Sequence, residues 1–315
     1  MDAPLIRDRA LYAAALDGLT ARPKRMEAKW FYDARGSALF EQITRLPEYY
    51  PTRTEIAILR AEAGRIAALV PDGAALVEPG AGASVKTRIL LDRLAGRLAG
   101  YVPLDISGGF LNQVAEGLRT DYPALPIRPV VADFMAELPV PDDLRPAPKV
   151  VFFPGSTIGN LSQQQAVALL RRARALPHVA RMFLGLDLVK DPDTLVAAYD
   201  DAAGVTAAFN RNLLARLNRD AGGGFDPDSF AHQARWVPDK ARIEMHLVSA
   251  RAQEVPLGHE TICFARGESI HTENCHKYTP ERLEALIRPA GWRLGPLLTD
   301  RDRQFAVAVL EPTGD

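Results

Sequence analysis

The chain is poor in cysteine, with only Cys263 and Cys275 among 315 residues. That excludes a disulfide framework and a CxxC metal site, and it fits a reducing compartment. Long apolar runs are also missing: no stretch approaches the ~20 residues of a membrane-crossing helix, and the opening Met1–Arg9 has no apolar signal core. Neither sign of charge dominates, because Lys and Arg number 38 against 39 Asp and Glu, leaving a net charge of -1. A nucleic-acid or membrane-surface binder needs a bias that is not there. Internal repeats and low-complexity tracts are lacking too. These absences lead to the expectation of a cytoplasmic monomer with small-molecule partners, no nucleic acid and no membrane.

What is present is ordinary globular material, 47% hydrophobic and 24% charged. Its length exceeds the usual single domain, so one large or two interleaved domains are expected. The stretch Ala75-Leu76-Val77-Glu78-Pro79-Gly80-Ala81-Gly82-Ala83-Ser84-Val85-Lys86-Thr87 reads as buried strand, glycine turn and helix start. Such a turn brings backbone N–H groups and a helix N-terminus close to a nucleotide-like ligand. A dinucleotide fingerprint wants a small residue where Val85 stands, and a phosphate loop wants glycine there. The form acidic-x-Gly-x-Gly, here Glu78 to Gly82, resembles the turn of S-adenosylmethionine (SAM) methyltransferases, with an ordinary strand-to-helix turn as the plain alternative.

Strand and helix then alternate for about a hundred residues. Tyr101–Asp105 is a short strand ending in an acid, close to the ~20-residue separation of a ribose-binding carboxylate from its glycine turn; a helix cap is the alternative reading of Asp105. Ile127–Phe134 reads as a strand ending in Asp133 beside Phe134, an acid for an adenine amino group and a ring for the base. Glu78, Asp105 and Asp133 thus end three successive strands, where ligands of open α/β sheets lie. Lys149–Asn160 gives another strand and a polar, glycine-bearing loop, and Arg181–Leu188 a fifth strand. Gly291–Thr299 and Gln304–Leu310 predict an antiparallel hairpin on the sheet edge.

Two segments fall outside this pattern. Trp30–Ser37 and Leu46–Glu55 pack aromatics and prolines among polar residues, as in a lid that presents phenol hydroxyls. Thr52 or Thr54 is the expected cap of a helix running from Glu55 to Val70. Between Leu188 and Lys277 a long helical region, Asp191–Leu217, precedes strands with apolar alternation at Ile243, Met245 and Leu247 and at Ile262 and Phe264. The run His271-Thr272-Glu273-Asn274-Cys275-His276 raises the question of a metal. On an extended strand His271, Glu273 and Cys275 would share one face, but the spacing matches no usual zinc pattern. No metal is expected, and Glu273 is read as part of a polar pocket.

Several segments together are similar to the L-histidine Nα-methyltransferase family: Phe31–Ser37, Leu46–Glu55, Gly155–Asn160, Asp187–Asp191, Ala198–Asn210 and Arg242–Met245. They span nearly the whole chain. The resemblance implies a class I SAM-methyltransferase α/β fold, a doubly wound sheet, with a second α+β substrate-binding domain. The expected division is 60–190 with 278–315 for the SAM domain and 1–59 with 191–277 for the substrate and lid domain. The implied reaction is trimethylation of the α-amino group of L-histidine to hercynine, the first step of ergothioneine synthesis, with SAM as co-substrate. The resemblance further implies that Asn160 and Tyr199 hold the amino and carboxylate groups, with Tyr32 near the amine. It implies that Tyr49 and Glu273, with Cys275 beside them, hold the imidazole, and that Met245 lines its pocket. Tyr32 and Asn160 are the implied catalytic positions; Gly80, Lys86, Asp105, Asp133 and Phe134 are the implied SAM contacts. Rival readings are a paralogue that methylates another amino acid or small amine, and a non-catalytic binding protein that keeps the fold.

Overall fold

A computed structural model describes residues 6–314. Met1–Leu5, part of the stretch read as lacking a signal core, lie outside the described residues. In chain order, α1 (Arg9–Thr20) is capped by Asp8, whose carboxylate accepts from Leu11 N at 2.9 Å. Strand β1 (Lys24–Arg25) and a 3₁₀ turn (Ala28–Phe31) lead to α2 (Ala34–Ile43), capped by Asp33 through Gly36 N at 2.7 Å. Helix α3 (Tyr50–Ala68) begins earlier than the sequence suggests. Pro51 sits in its first turn, where a missing N–H is harmless, so Thr52 and Thr54 lie inside the helix and do not cap it.

The alternation then follows as expected: β2 (Ala75–Pro79), α4 (Val85–Leu94), β3 (Gly100–Asp105), α5 (Gly108–Asp121), β4 (Val130–Val131), β5 (Lys149–Phe153), α6 (Gln163–Arg174) and β6 (Val179–Asp187). Strand β4 is shorter than predicted, and Asp133 and Phe134 fall on the turn after it. The expected long helical region splits into α7 (Pro192–Ala197) and α8 (Val205–Asp220). Asp201 makes the break by accepting from the N–H groups of Val205 and Thr206 at 2.9 and 2.7 Å. Strands β7 (Phe230–Val237), β8 (Arg242–Ser249), β9 (Gln253–Leu257), β10 (Glu260–Phe264) and β11 (Ser269–His276) come next. The chain closes with α9 (Pro280–Ile287), β12 (Trp292–Thr299) and β13 (Phe305–Pro312).

These elements form two compact units, one made of the residues up to Tyr50 with Lys190–His276, the other of Pro51–Val189 with the residues from Lys277 onward. The expected boundary at 59/60 is therefore displaced. Residues 51–59 are the first turns of α3, and Glu55 within them is tied to Gly155 by hydrogen bonds of 2.9 and 3.0 Å.

In the second of these units, seven strands lie in the order β12-β13-β6-β5-β2-β3-β4. All neighbours are parallel except β13, which runs antiparallel to both β6 and β12. The order reverses between β2 and β5, the crevice where open α/β sheets bind ligands. Alternation along the strands splits the apolar side chains between two faces. Leu76, Tyr101 and Phe152 pack with Ile66, Leu91 and Leu118 of α3, α4 and α5; Val77, Leu104 and Phe153 pack with Leu169 and Leu286 of α6 and α9. The sheet is doubly wound, as the sequence implied. In the same unit the fully buried Lys277 pairs with Asp187 at 2.6 Å.

The other unit is α+β. Its sheet runs β1-β11-β8-β7, with β9 and β10 as a separate hairpin. Helices α1, α2 and α8 contribute Leu11, Ile43 and Leu213 to a core shared with Ile243, Leu247 and Ile270 of the sheet. None of the described helices is long and apolar enough to cross a membrane.

Candidate active site

The glycine turn has the geometry its sequence demands. Gly80 has φ +66°, and a Cβ there would stand 3.3 Å from the Phe134 ring, so both the backbone conformation and the close approach require glycine. Phe134 is held in turn by an edge-on contact with Phe153, ring centres 5.6 Å apart. Asp105 ends β3 and accepts from Ser107 N at 2.9 Å and Gly82 N at 3.3 Å. A carboxylate offers about four acceptor positions, which leaves capacity for ribose hydroxyls. Asp133 accepts from Met135 N at 2.8 Å. Around these acids Val85, Ile106, Phe110 and Val131 are 57%, 55%, 44% and 59% exposed. Large apolar groups left in water at the carboxyl ends of β3 and β4 suit a planar base. The donors, acids and apolar rim fit a SAM-like nucleoside.

Glu78, the third strand-end acid, does something else. It is buried, and its Oε2 accepts from Thr87 Oγ1 at 2.6 Å and from the Tyr101 hydroxyl. It therefore fastens the turn to α4 and β3 rather than facing a ligand. Burial outweighs these donors and pushes its pKa up to about 7. Lys86 pairs at 2.5 Å with Glu55, whose side chain is fully buried. An ammonium has three donors, so this pairing orients Lys86 and still leaves two for another acceptor. Glu55 fits there because β6 carries Gly185, where a Cβ would lie 2.2 Å from its carboxylate oxygen. Sequence reading missed Glu55, and no local signal marks it, since its partners lie 31 to 130 positions away.

In the other unit the implied amino-acid-binding residues converge. Tyr199 and Cys275 lie 2.7 Å apart, hydroxyl to thiol. Tyr49 meets Tyr199 edge-on with ring centres 6.1 Å apart, and Phe40 links Tyr49 to Tyr32 at 6.2 and 5.7 Å. Met245 stands opposite Glu273 in the register of β8 and β11. Although Tyr32 is 39% exposed as a whole, withdrawal of its phenol from water, with Glu273 and Cys275 near, drives its pKa far above the usual value. It is therefore a neutral phenol at physiological pH. Tyr32, Tyr49, Tyr199, Met245, Glu273 and Cys275 are thus gathered in one unit. Asn160 belongs to the sheet unit, at the end of a short 3₁₀ turn (Thr157–Asn160) after β5.

Two supports of this cluster were not foreseen. His232 Nε2 donates to the Tyr199 carbonyl at 2.8 Å while Asn210 Nδ2 reaches Nδ1 at 2.9 Å, fixing the segment that carries Tyr199. Asp33 is gripped by Asn212 at 2.9 Å and Arg219 at 2.8 Å, which steadies the backbone next to Tyr32.

The expected shared face of His271, Glu273 and Cys275 does not form. The register of β11 against β8 shifts between His271 and Glu273, and this bulge at Thr272 reverses the alternation. Glu273 and Cys275 turn to the buried side, whereas His271 joins Asn274 on the other.

A family described as histidine-specific methyltransferase, SAM-dependent, matches residues 11–312. The histidine N-alpha-methyltransferase of Mycolicibacterium smegmatis is 46% identical over 299 residues, covering 93% of this chain and 92% of that protein. The protein of the same name from Mycobacterium tuberculosis is 42% identical, covering 95% and 94%. Ergothioneine biosynthesis protein 1 of Neurospora crassa is 28% identical over 85% of this chain, which spans 31% of that longer protein. With the strand order, the glycine turn and the gathered tyrosines, these matches lead to one conclusion: the chain belongs to the SAM-dependent, histidine-specific methyltransferase family.

Proposed function

We propose that this protein trimethylates the α-amino group of L-histidine, giving hercynine, the first step of ergothioneine synthesis. The observation that carries the reading is the cluster of Tyr32, Tyr49, Tyr199, Glu273 and Cys275, a carboxylate among hydroxyls that matches an imidazole next to a zwitterion. Glu273 accepts the imidazole N–H, Tyr49 adds a second polar contact, and Met245 forms the apolar wall. Tyr199 and Asn160 hold the carboxylate and amine, and Gly80, Lys86, Asp105, Asp133 and Phe134 bind SAM.

SAM supplies a methyl group on a positive sulfur, open to in-line attack by a nitrogen lone pair. The protein's task is alignment and delivery of a neutral amine, because a protonated one has no lone pair. Tyr32, a neutral phenol, positions the amine by hydrogen bonding and passes its proton toward water without becoming a phenolate. As methyls accumulate the amine loses donors, so the grip must come from the imidazole and carboxylate ends. That is where Glu273 and Tyr199 act.

The test is mass spectrometry after incubating the purified protein with SAM and an equimolar mixture of the common amino acids. Gain of three methyls on histidine alone supports the proposal. Methylation of another amino acid, or of none, overturns it.

A further inference from the structure

The bulge at Thr272 assembles a second constellation on the outward side of β8 and β11. Glu244, His246 and His271 bring their ligating atoms within 4.8 Å of one another. The two imidazoles stack with centres 4.9 Å apart and planes 19° apart. We infer that Glu244, His246 and His271 bind a divalent ion of the zinc class, which clamps β8 to β11 behind the strand that carries Glu273.

Hydrogen bonding prepares each ligand. His271 Nε2 donates to the Glu273 carbonyl at 3.0 Å, which fixes the tautomer and leaves Nδ1 with a lone pair. A histidine ligand whose other nitrogen is held by a carbonyl is the usual arrangement around a metal. His246 Nδ1 lies 3.2 Å from Ser269 Oγ, and its Nε2 faces Glu244 Oε2 at 3.1 Å. Arg242 takes the other oxygen, Oε1, with its Nε at 2.8 Å, so the carboxylate is oriented while Oε2 stays directed at the imidazoles.

A separate observation points to the same place. Asn274 pairs with Glu244 in the strand register and stands beside His271, and its buried Oδ1 makes no hydrogen bond of good geometry there. A buried acceptor left unmade is costly, and a cation would satisfy it as a fourth ligand. Zinc bonds of about 2.0–2.2 Å place ligand atoms about 3.3 Å apart, a contraction within reach of side-chain rotation. Two histidines, one carboxylate and one amide oxygen suit zinc, nickel or cobalt better than magnesium or calcium, which prefer all-oxygen shells.

The experiment uses the whole protein, stripped with a chelator and carrying Cys263→Ser to remove the exposed thiol. Zn²⁺ is titrated by calorimetry, and Co²⁺ is followed by its visible d–d absorption. The expected result is one ion per chain in the micromolar range or tighter, a cobalt spectrum of nitrogen and oxygen ligation, and a rise in melting temperature. His271→Ala and, independently, Glu244→Gln should each weaken zinc more than about tenfold, with circular dichroism confirming that they fold. No binding, binding unchanged in the variants, or no tetrahedral cobalt spectrum in the otherwise unmodified protein overturns the inference.

Discussion

Glu78→Gln tests the reading of the glycine turn most directly. The wild-type carboxyl is 1% exposed and has a pKa near 7 in the folded protein against 4.5 for the free side chain. A carboxyl that binds its proton more tightly when folded contributes most stability below about pH 4.5, and that contribution is lost as pH rises through 7. At about 1.4 kcal/mol per pH unit the difference amounts to about 3 kcal/mol. Glutamine keeps an oxygen for Thr87 and Tyr101 but cannot ionise. The unfolding free energy of wild type minus that of Glu78→Gln should therefore fall by about 3 kcal/mol between pH 4.5 and 7 and be flat above that. Urea unfolding followed by Trp292 fluorescence reports on this unit, because Trp292 is buried in it; Trp30→Phe and Trp236→Phe remove the other two emitters. Parallel pH profiles for the two proteins would refute the claim that burial, rather than the two hydroxyl donors, governs Glu78.

Glu273→Ala should weaken histidine binding by about 10- to 100-fold, the value of a charge-assisted hydrogen bond, while SAM affinity changes less than about twofold; equal losses in calorimetry would contradict the assignment. Asp105→Ala should weaken SAM by about tenfold or more, and an unchanged SAM affinity would remove Asp105 from the cofactor contacts. Cys275→Ala removes the thiol hydrogen-bonded to the Tyr199 hydroxyl and should raise the histidine KM about fivefold, the equivalent of about 1 kcal/mol. Cys275→Ser, which restores a polar partner, should stay within about twofold of wild type, and a fivefold rise there as well would mean that the thiol matters for its size.

The sheet unit was largely legible because its signals are local. Alternating apolar strands, the Gly80 turn and the acids at Asp105 and Asp133 each sit within a few residues of the feature that reveals them. The terminal hairpin was equally plain from its two apolar runs. What could not be read depended on distant partners. Glu78 has the same strand-end position as Asp105, yet Thr87 and Tyr101 capture it, and only the folded packing decides that. Glu55 looks like the first residue of a helix, although its carboxylate meets Gly155 and Lys86. The tyrosine cluster was reached through resemblance to a family, since no periodicity links Tyr32, Tyr49, Tyr199 and Glu273. Likewise the face on which His271 lies depends on how β11 registers against β8, a property of two strands that neither contains alone.

Through the bulge at Thr272, β11 also presents two independently adjustable faces. Substitutions at Asn274 or His271 change the outer face, whereas those at Glu273 and Cys275 alter the buried face on which the proposed pocket draws. Deleting Thr272 alone would take out the extra residue and leave His271 opposite His246 and Glu273 opposite Met245 as before, so both faces would keep their side chains. What the extra residue changes is the spacing along the chain: it lets His271 and Glu273, two positions apart in sequence, face opposite sides of the sheet.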